Sequence, residues 1–240
     1  MRKVLLATAC LLVVVVPAAA GAPVAGPAAV RFDPNKKISQ STSSNWSGYS
    51  AINGRYTSVS ANWTQPAASC TSATTYSSFW VGLDGNGSNT VEQTGTSADC
   101  SGGTPRYYAW YEMYPKFPVN LSLAIHPGDS IGGSVTTDGG GHFTLTITDR
   151  TTGSFTTTQR LPRARLLSAE AIAEAPSGSG GVLPLTNFGT ASFTSTTVNG
   201  APIGSFNPDR IDMVSGGVTK ASTSGLGNDG ASFSVTWQHS

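Results

Sequence analysis

The sequence predicts an all-β fold, a sandwich of two packed antiparallel sheets. Three observations lead there. Many segments alternate apolar and polar residues with period two, glycine-rich turns separate them, and almost no stretch carries a helical period. In chain order, residues 56–64 set Thr57, Val59, Ala61 and Trp63 against Tyr56, Ser58, Ser60 and Asn62. Residues 119–125 place Val119, Leu121, Leu123 and Ile125 on one face. Residues 142–148 group Phe143, Leu145 and Ile147, and residues 231–237 group Phe233, Val235 and Trp237. One apolar face per strand is the mark of a half-buried antiparallel sheet. Pro127-Gly128-Asp129 and Asp138-Gly139-Gly140-Gly141 read as turns, and Arg150-Thr151-Thr152-Gly153 as a hairpin loop. Only residues 166–175, rich in Ala and Glu, favour a helix.

The start of the chain predicts export. Arg2 and Lys3 precede an apolar run over residues 4–16, which ends in Pro17-Ala18-Ala19-Ala20. That layout is a secretory signal peptide over residues 1–20. The run is shorter than the roughly 18–20 apolar residues that span a bilayer. Cys10 lies inside it and reads as a small apolar residue. No later stretch is long enough to span, so the expected product is soluble, secreted and extracellular. Residues 21–42, rich in Ala, Pro and Ser, read as a linker or short pro-segment. Residues 43–240 then suit a single β domain, expected to be a monomer.

Lys and Arg number 14 and Asp and Glu 13, so removing Arg2 and Lys3 leaves 12 basic residues. A charge near zero is a poor match for nucleic acid or an anionic membrane surface. Charged residues make up 11% of the chain, well below the roughly 25% of average proteins. A surface covered instead by Ser, Thr, Gly and Asn changes little in acid, because few carboxylates must be protonated. Beyond the leader, Cys70 and Cys100 are the two cysteines. In an oxidising compartment they are expected to form a disulfide. Closing a loop of ~30 residues is worth about 3–4 kcal/mol in the chain-entropy account.

Several chemistries lack their motifs. The three histidines, His126, His142 and His239, have no paired zinc spacing. His126 and His142 sit beside turns and read as turn or surface residues. There is no G-x-S-x-G elbow, and Gly139-Gly140-Gly141 precedes a strand pattern, unlike a phosphate loop.

Glutamates are scarce and therefore informative: Glu92, Glu112, Glu170 and Glu174. Glu112 lies among Tyr108, Trp110, Tyr111 and Tyr114. In extended strands Trp110, Glu112 and Tyr114 share a face, as do Trp80, Gly82 and Asp84. Carboxylates flanked by aromatics make a candidate cleft; aromatics at alternate positions also serve as ordinary core.

The ordered set Trp80-Val81-Gly82-Leu83-Asp84-Gly85, Val91-Glu92-Gln93-Thr94-Gly95 and Ala109-Trp110-Tyr111-Glu112-Met113-Tyr114-Pro115 resembles the eqolisins, the glutamic peptidases. So do Asn45-Trp46-Ser47-Gly48-Tyr49, Gly128-Asp129-Ser130-Ile131, Phe188-Gly189 and the segment from Ser168 through Glu170 and Glu174 to Pro176. The resemblance implies two bent antiparallel sheets of the lectin-like jelly-roll type. It implies a catalytic Gln at Gln93 and a catalytic Glu at Glu174, with Trp80, Asp84, Trp110, Glu112 and Glu170 in or near the cleft. It also implies a protein or peptide substrate, cleavage in acid, and no metal or cofactor. Ala171 stands where the family usually carries Trp. Strand parity puts Glu170 and Glu174 on one face and does not choose between them; the spacing to Pro176 favours Glu174. In this scheme Glu174 is the general base and Gln93 the oxyanion donor. Two rival functions suit a similar sandwich: a glycoside hydrolase using carboxylates such as Glu112 and Glu174, and a non-catalytic carbohydrate- or peptide-binding module built on Trp80 and Trp110.

Overall fold

The structure, a computed structural model, describes residues 42–240. The expected leader (1–20) and nearly all of the 21–42 segment lie outside the described residues. The described chain opens with β1 (Thr42–Ser43), β2 (Trp46–Ala51) and β3 (Ser58–Thr64). Next come β4 (Ser78–Leu83), the long β5 (Val91–Ser101) and β6 (Thr104–Tyr114), and the short β7 (Val119–Asn120). A meander of β8 (Ser130–Thr137), β9 (His142–Asp149) and β10 (Gly153–Arg160) leads to β11 (Ala169–Glu174). A small hairpin, β12 (Ser177–Gly178) and β13 (Gly181–Val182), follows. The chain closes with β14 (Thr190–Val198), β15 (Ala201–Pro202), β16 (Asp209–Ser215), β17 (Val218–Thr223) and β18 (Phe233–Trp237). One 3-10 turn at Ile203–Phe206 is the helical content among the described residues. No helix there is long and apolar enough to cross a membrane.

The predicted sandwich is present. One sheet runs β16-β2-β11-β4-β5-β6-β7 and the other β10-β9-β8-β3-β14-β18-β17-β16. β16 belongs to both. Its residues Asp209 to Ile211 pair with β2, and after a register shift Val214 and Ser215 pair with β17. The two sheets are therefore one path folded over, with β4 and β5 lying across β8 and β9. Between them sits the main core: Phe79, Val81 and Leu83 from β4, Ala169, Ala171 and Ala173 from β11, and Phe143, Leu145 and Ile147 from β9. Burying each large apolar side chain contributes roughly 1.5–3 kcal/mol. The Trp63 indole crosses the gap to donate to the Thr96 hydroxyl at 2.9 Å.

Gly102 and Gly103, at φ 57° and 82°, make the two-residue turn between β5 and β6. Both central residues of such a turn need positive φ, which favours Gly. Cys70 and Cys100 are disulfide-bonded with Cα atoms 5.4 Å apart, which ties the 65–77 loop to the end of β5. His126 and His142 are exposed beside turns, as expected.

One local expectation changes. Residues 121–125 are not a strand, although their burial alternates as the pattern requires. Leu121 still donates its N–H to the Ala109 carbonyl of β6 at 2.8 Å, but residues 122–125 cross from β7 to β8 outside any ladder, so period two outlasts the strand. The helix-favouring stretch holds strand β11, the strand that the resemblance implies, because β2 and β4 hydrogen-bond it on both sides. Those pairings outweigh the weak preference of Ala and Glu.

Candidate active site

The outer face of the first sheet carries a second apolar cluster, built on Trp46, Trp80, Val91, Trp110, Ile172 and Ile211. Strand register sorts that face into three lateral rows. One holds Asp209, Ser50, Glu170, Gly82, Gln93 and Glu112. The next holds Ile211, Gly48, Ile172, Trp80, Gly95 and Trp110. The third holds Trp46, Glu174, Ser78, Ser97 and Tyr108. Gln93, Trp80, Trp110, Glu112, Glu170 and Glu174 thus share one face, all buried.

Trp80 joins the outer rows. Its indole N–H donates to Glu174 Oε2 at 2.8 Å. Its ring edge lies over Gly82 beside Gln93: a Cβ on Gly82 would stand 3.0 Å from both Trp80 Cζ3 and Gln93 Cβ. Gly95 makes room on the other side, since a Cβ there would come 2.5 Å from Trp80 Cβ. The Trp46 ring meets Trp80 edge to face with centroids 4.9 Å apart.

The two glutamates that parity could not separate sit in different surroundings. Glu174 receives an N–H on each oxygen, from Trp80 at Oε2 and from the Asn45 side chain at Oε1, 3.2 Å away. Donors of this kind favour the ionised form. Glu170 accepts from the Ser50 hydroxyl at 3.1 Å, and Ser50 in turn accepts from Asn86 at 3.1 Å. Burial raises the Glu170 carboxyl well above its ordinary value; Ser168 and Ser50 oppose the rise, and Asp84 and Glu92 add to it. Glu92 faces inward and is pushed up to about 9, first by burial and then by the Asp84 carboxyl. Burial thus favours the neutral form of both Glu170 and Glu92.

Asp84 leaves the row that an extended strand would give it. β4 ends at Leu83, and Asp84 takes a left-handed φ of 65°. Its carboxylate accepts the backbone N–H groups of Arg165, Leu166 and Leu167 at 2.8–2.9 Å. It thereby closes the loop that leads into β11.

Gln93 and Glu112 face each other across β5 and β6, and the Gln93 amide donates to Glu112 Oε2 at 2.9 Å. The Trp110 indole donates to Ser97 at 3.1 Å. Tyr108 donates to Asp99 at 2.8 Å, and burial raises the Asp99 carboxyl to about 7 against the pull of that bond. Among the described residues no group of three or more His, Cys, Asp or Glu could hold a metal ion. The arrangement offers a carboxylate fit to take a proton and a neutral amide fit to donate to an oxygen. Sequence reasoning missed Asn45 as a site residue. Its motif was visible, but only the Trp46 and Glu174 pairing brings it to the carboxylate.

The profile of the peptidase A4 family matches residues 44–237. Aspergillopepsin-2 of Aspergillus niger is 28% identical over 220 residues, spanning 80% of this chain and 78% of that protein. The crystal structure of scytalido-glutamic peptidase with a transition state analog inhibitor superposes with a TM-score of 0.71 at 26% identity. It covers 81% of this chain and 98% of that one. SCP-B, described as an eqolisin peptidase in complex with the tripeptide Ala-Ile-His, gives a TM-score of 0.65 at 25% identity over the same shares. These matches set aside the glycoside hydrolase and the non-catalytic module. With its sandwich, its carboxylate and amide face and a family match over almost all described residues, the chain belongs to the peptidase A4 family and is a glutamic endopeptidase, an eqolisin.

Proposed function

We propose that this protein is a secreted, acid-active endopeptidase in which Glu174 is the general base and Gln93 the oxyanion donor. The contrast between the two glutamates carries the assignment. Glu174 has an N–H donor on each oxygen, while Glu170 is held as a neutral acid. A base must be ionised to accept a proton, so Glu174 suits the role and Glu170 does not.

The chemistry balances on these groups alone. Glu174 takes a proton from a water whose oxygen bonds to the scissile carbonyl carbon. The carbonyl oxygen becomes an oxyanion. The Gln93 amide carries two N–H protons: one is donated to Glu112, and in the substrate complex the other is donated to that oxyanion. Protonated Glu174 then delivers its proton to the leaving nitrogen as the C–N bond breaks and the oxyanion collapses to a carboxylic acid. An amide keeps its donors at any working pH, which suits acid. Glu112 aligns the amide, Trp80 aligns the base, and Trp46 and Trp110 wall the cleft. The substrate class is protein or peptide, consistent with the tripeptide in the SCP-B structure. The acting form is a monomeric domain of residues 43–240, released after loss of the 1–20 leader.

The test is digestion of a denatured protein near pH 3.5 and near pH 7, with pepstatin and with a chelator. Cleavage is expected in acid and unaffected by either inhibitor. Gln93→Ala should lower kcat about 10²–10³-fold, the usual loss for one oxyanion donor. A chelator-sensitive enzyme, or full activity in Gln93→Ala, would overturn the proposal.

A further inference from the structure

We propose that Asn45 is a positioning residue for Glu174, and that Ser43 sets the direction of its amide. The inference rests on Glu174 being the base. Asn45 is fully buried just ahead of β2. Its carbonyl accepts the Ala175 N–H at 2.9 Å, so its backbone is fixed beside the end of β11. From there its side-chain NH2 donates to Glu174 Oε1 at 3.2 Å.

The amide could face either way unless something chooses. Ser43 makes that choice. Its hydroxyl oxygen accepts the N–H groups of Asn45 and Trp46 at 3.3 and 3.1 Å. Its single proton is donated to Asn45 Oδ1 at 3.1 Å. The amide oxygen is thereby committed to Ser43 and the NH2 end to the carboxylate. The flipped amide would set two acceptors together, Oδ1 against Glu174. Ser43 is itself fixed, because β1 pairs with β16 through Ser43 and Met213. A hydroxyl therefore orients an amide, and the amide orients and keeps charged a buried carboxylate.

Trp80 serves the other oxygen from the opposite neighbouring strand. Together the two donors restrict the carboxylate to one plane, as a base aimed at a water requires. Ionisable groups sharing this face among the described residues are Glu170 on the same strand, Asp209 on β16, Asp99 on β5, and Arg106, Tyr108, Glu112 and Tyr114 on β6. Arg106, the cation of this set, stands opposite Asp99 near the start of β6, while Asn45 and Trp80 donate to Glu174 directly.

The experiment uses the full chain after its own processing, with kcat and KM measured from about pH 2.5 to 6. Asn45→Ala should lower kcat by roughly 10–100-fold, leave KM within about twofold, and move the acid limb of the kcat profile up by about one pH unit. Ser43→Ala should shift both in the same direction by less, and Ser43→Thr, which keeps the hydroxyl, should restore them. The serine pair keeps the test decisive if Asn45→Ala folds poorly. An acid limb unmoved in Ser43→Ala and Asn45→Ala, or an equal loss in Ser43→Ala and Ser43→Thr, overturns the proposal. Glu174→Gln is the control: if it stays active, the assignment of the base itself has failed. If it is inactive while Asn45→Ala matches the parent, only the positioning role has failed.

Discussion

Three buried carboxyl groups hold their protons more tightly than ordinary ones. Glu92 and Asp99 are raised, to about 9 and about 7, mainly by burial. Glu170 is raised as well. A group raised in the folded state binds its proton more tightly there than when unfolded. Its contribution is full below the unfolded value, 4.5 for Glu92, and is lost as pH rises through the folded value. Each such group removes up to about 1.4 kcal/mol of stability per pH unit in that window. The protein should therefore lose stability steadily above about pH 4.5, and Glu92→Gln should flatten the decline between about pH 5 and 9. Urea unfolding across that range checks it; an unchanged slope in the variant would remove Glu92 from the account. None of this was legible from the sequence. Scarcity singled out the four glutamates and parity paired Glu170 with Glu174, but their different neighbours come from Asn45 ahead of β2, from Ser50 on β2 and from Trp80 on β4.

Elements were legible where a strand has both an alternating pattern and a partner. Residues 58–64, 142–149 and 233–237 fall where alternation placed them. Residues 122–125 alternate outside any ladder, and β11 forms against its own propensity between two partners. Local sequence carries periodicity but not the identity of the neighbouring strand. The cleft depends on such a neighbour at Gly95, where β5 passes β4. A Cβ there would lie 2.3 Å from the Phe79 carbonyl oxygen as well as against Trp80. Gly95→Ala should thus destabilise the fold by about 1–3 kcal/mol, the usual cost of overpacking, and reduce activity by shifting Trp80. Gly180→Ala, with nothing within 4 Å of the added carbon, is the matched control. Equal unfolding midpoints in denaturant for the two variants would contradict the tight approach of these strands.

At the scale of the molecule, the second sheet turns a face rich in Ser and Thr to the solvent, with His142 and Arg160 at one end of it. Thr156, Thr146, Ser134, Ser60 and Thr197 form one lateral row across five strands. Its hydroxyls pair at 3.0 Å between Thr146 and Thr156 and 2.8 Å between Ser60 and Thr197. Such a row of hydroxyls does not titrate, which gives structural form to the low charge of the composition. The exposed Asp138 and Asp229 are lowered below their ordinary 3.8, chiefly by His142 and by the Ser232 hydroxyl. Their stabilisation is present above that value and lost only as pH falls through the lowered one. Loss on the alkaline side begins at the unfolded values of the raised groups, 3.8 for Asp99 and 4.5 for Glu92, so stability should peak close to pH 4, the range in which a Glu base and a Gln donor work. The measurement that reaches furthest compares Glu174→Gln with Glu170→Gln on a protein substrate near pH 3.5. Glutamine mimics a neutral acid but cannot accept the proton. The structure predicts that Glu170→Gln keeps kcat within about tenfold and that Glu174→Gln loses it by at least about 10³-fold. An inactive Glu170→Gln beside an active Glu174→Gln would contradict the assignment of the base.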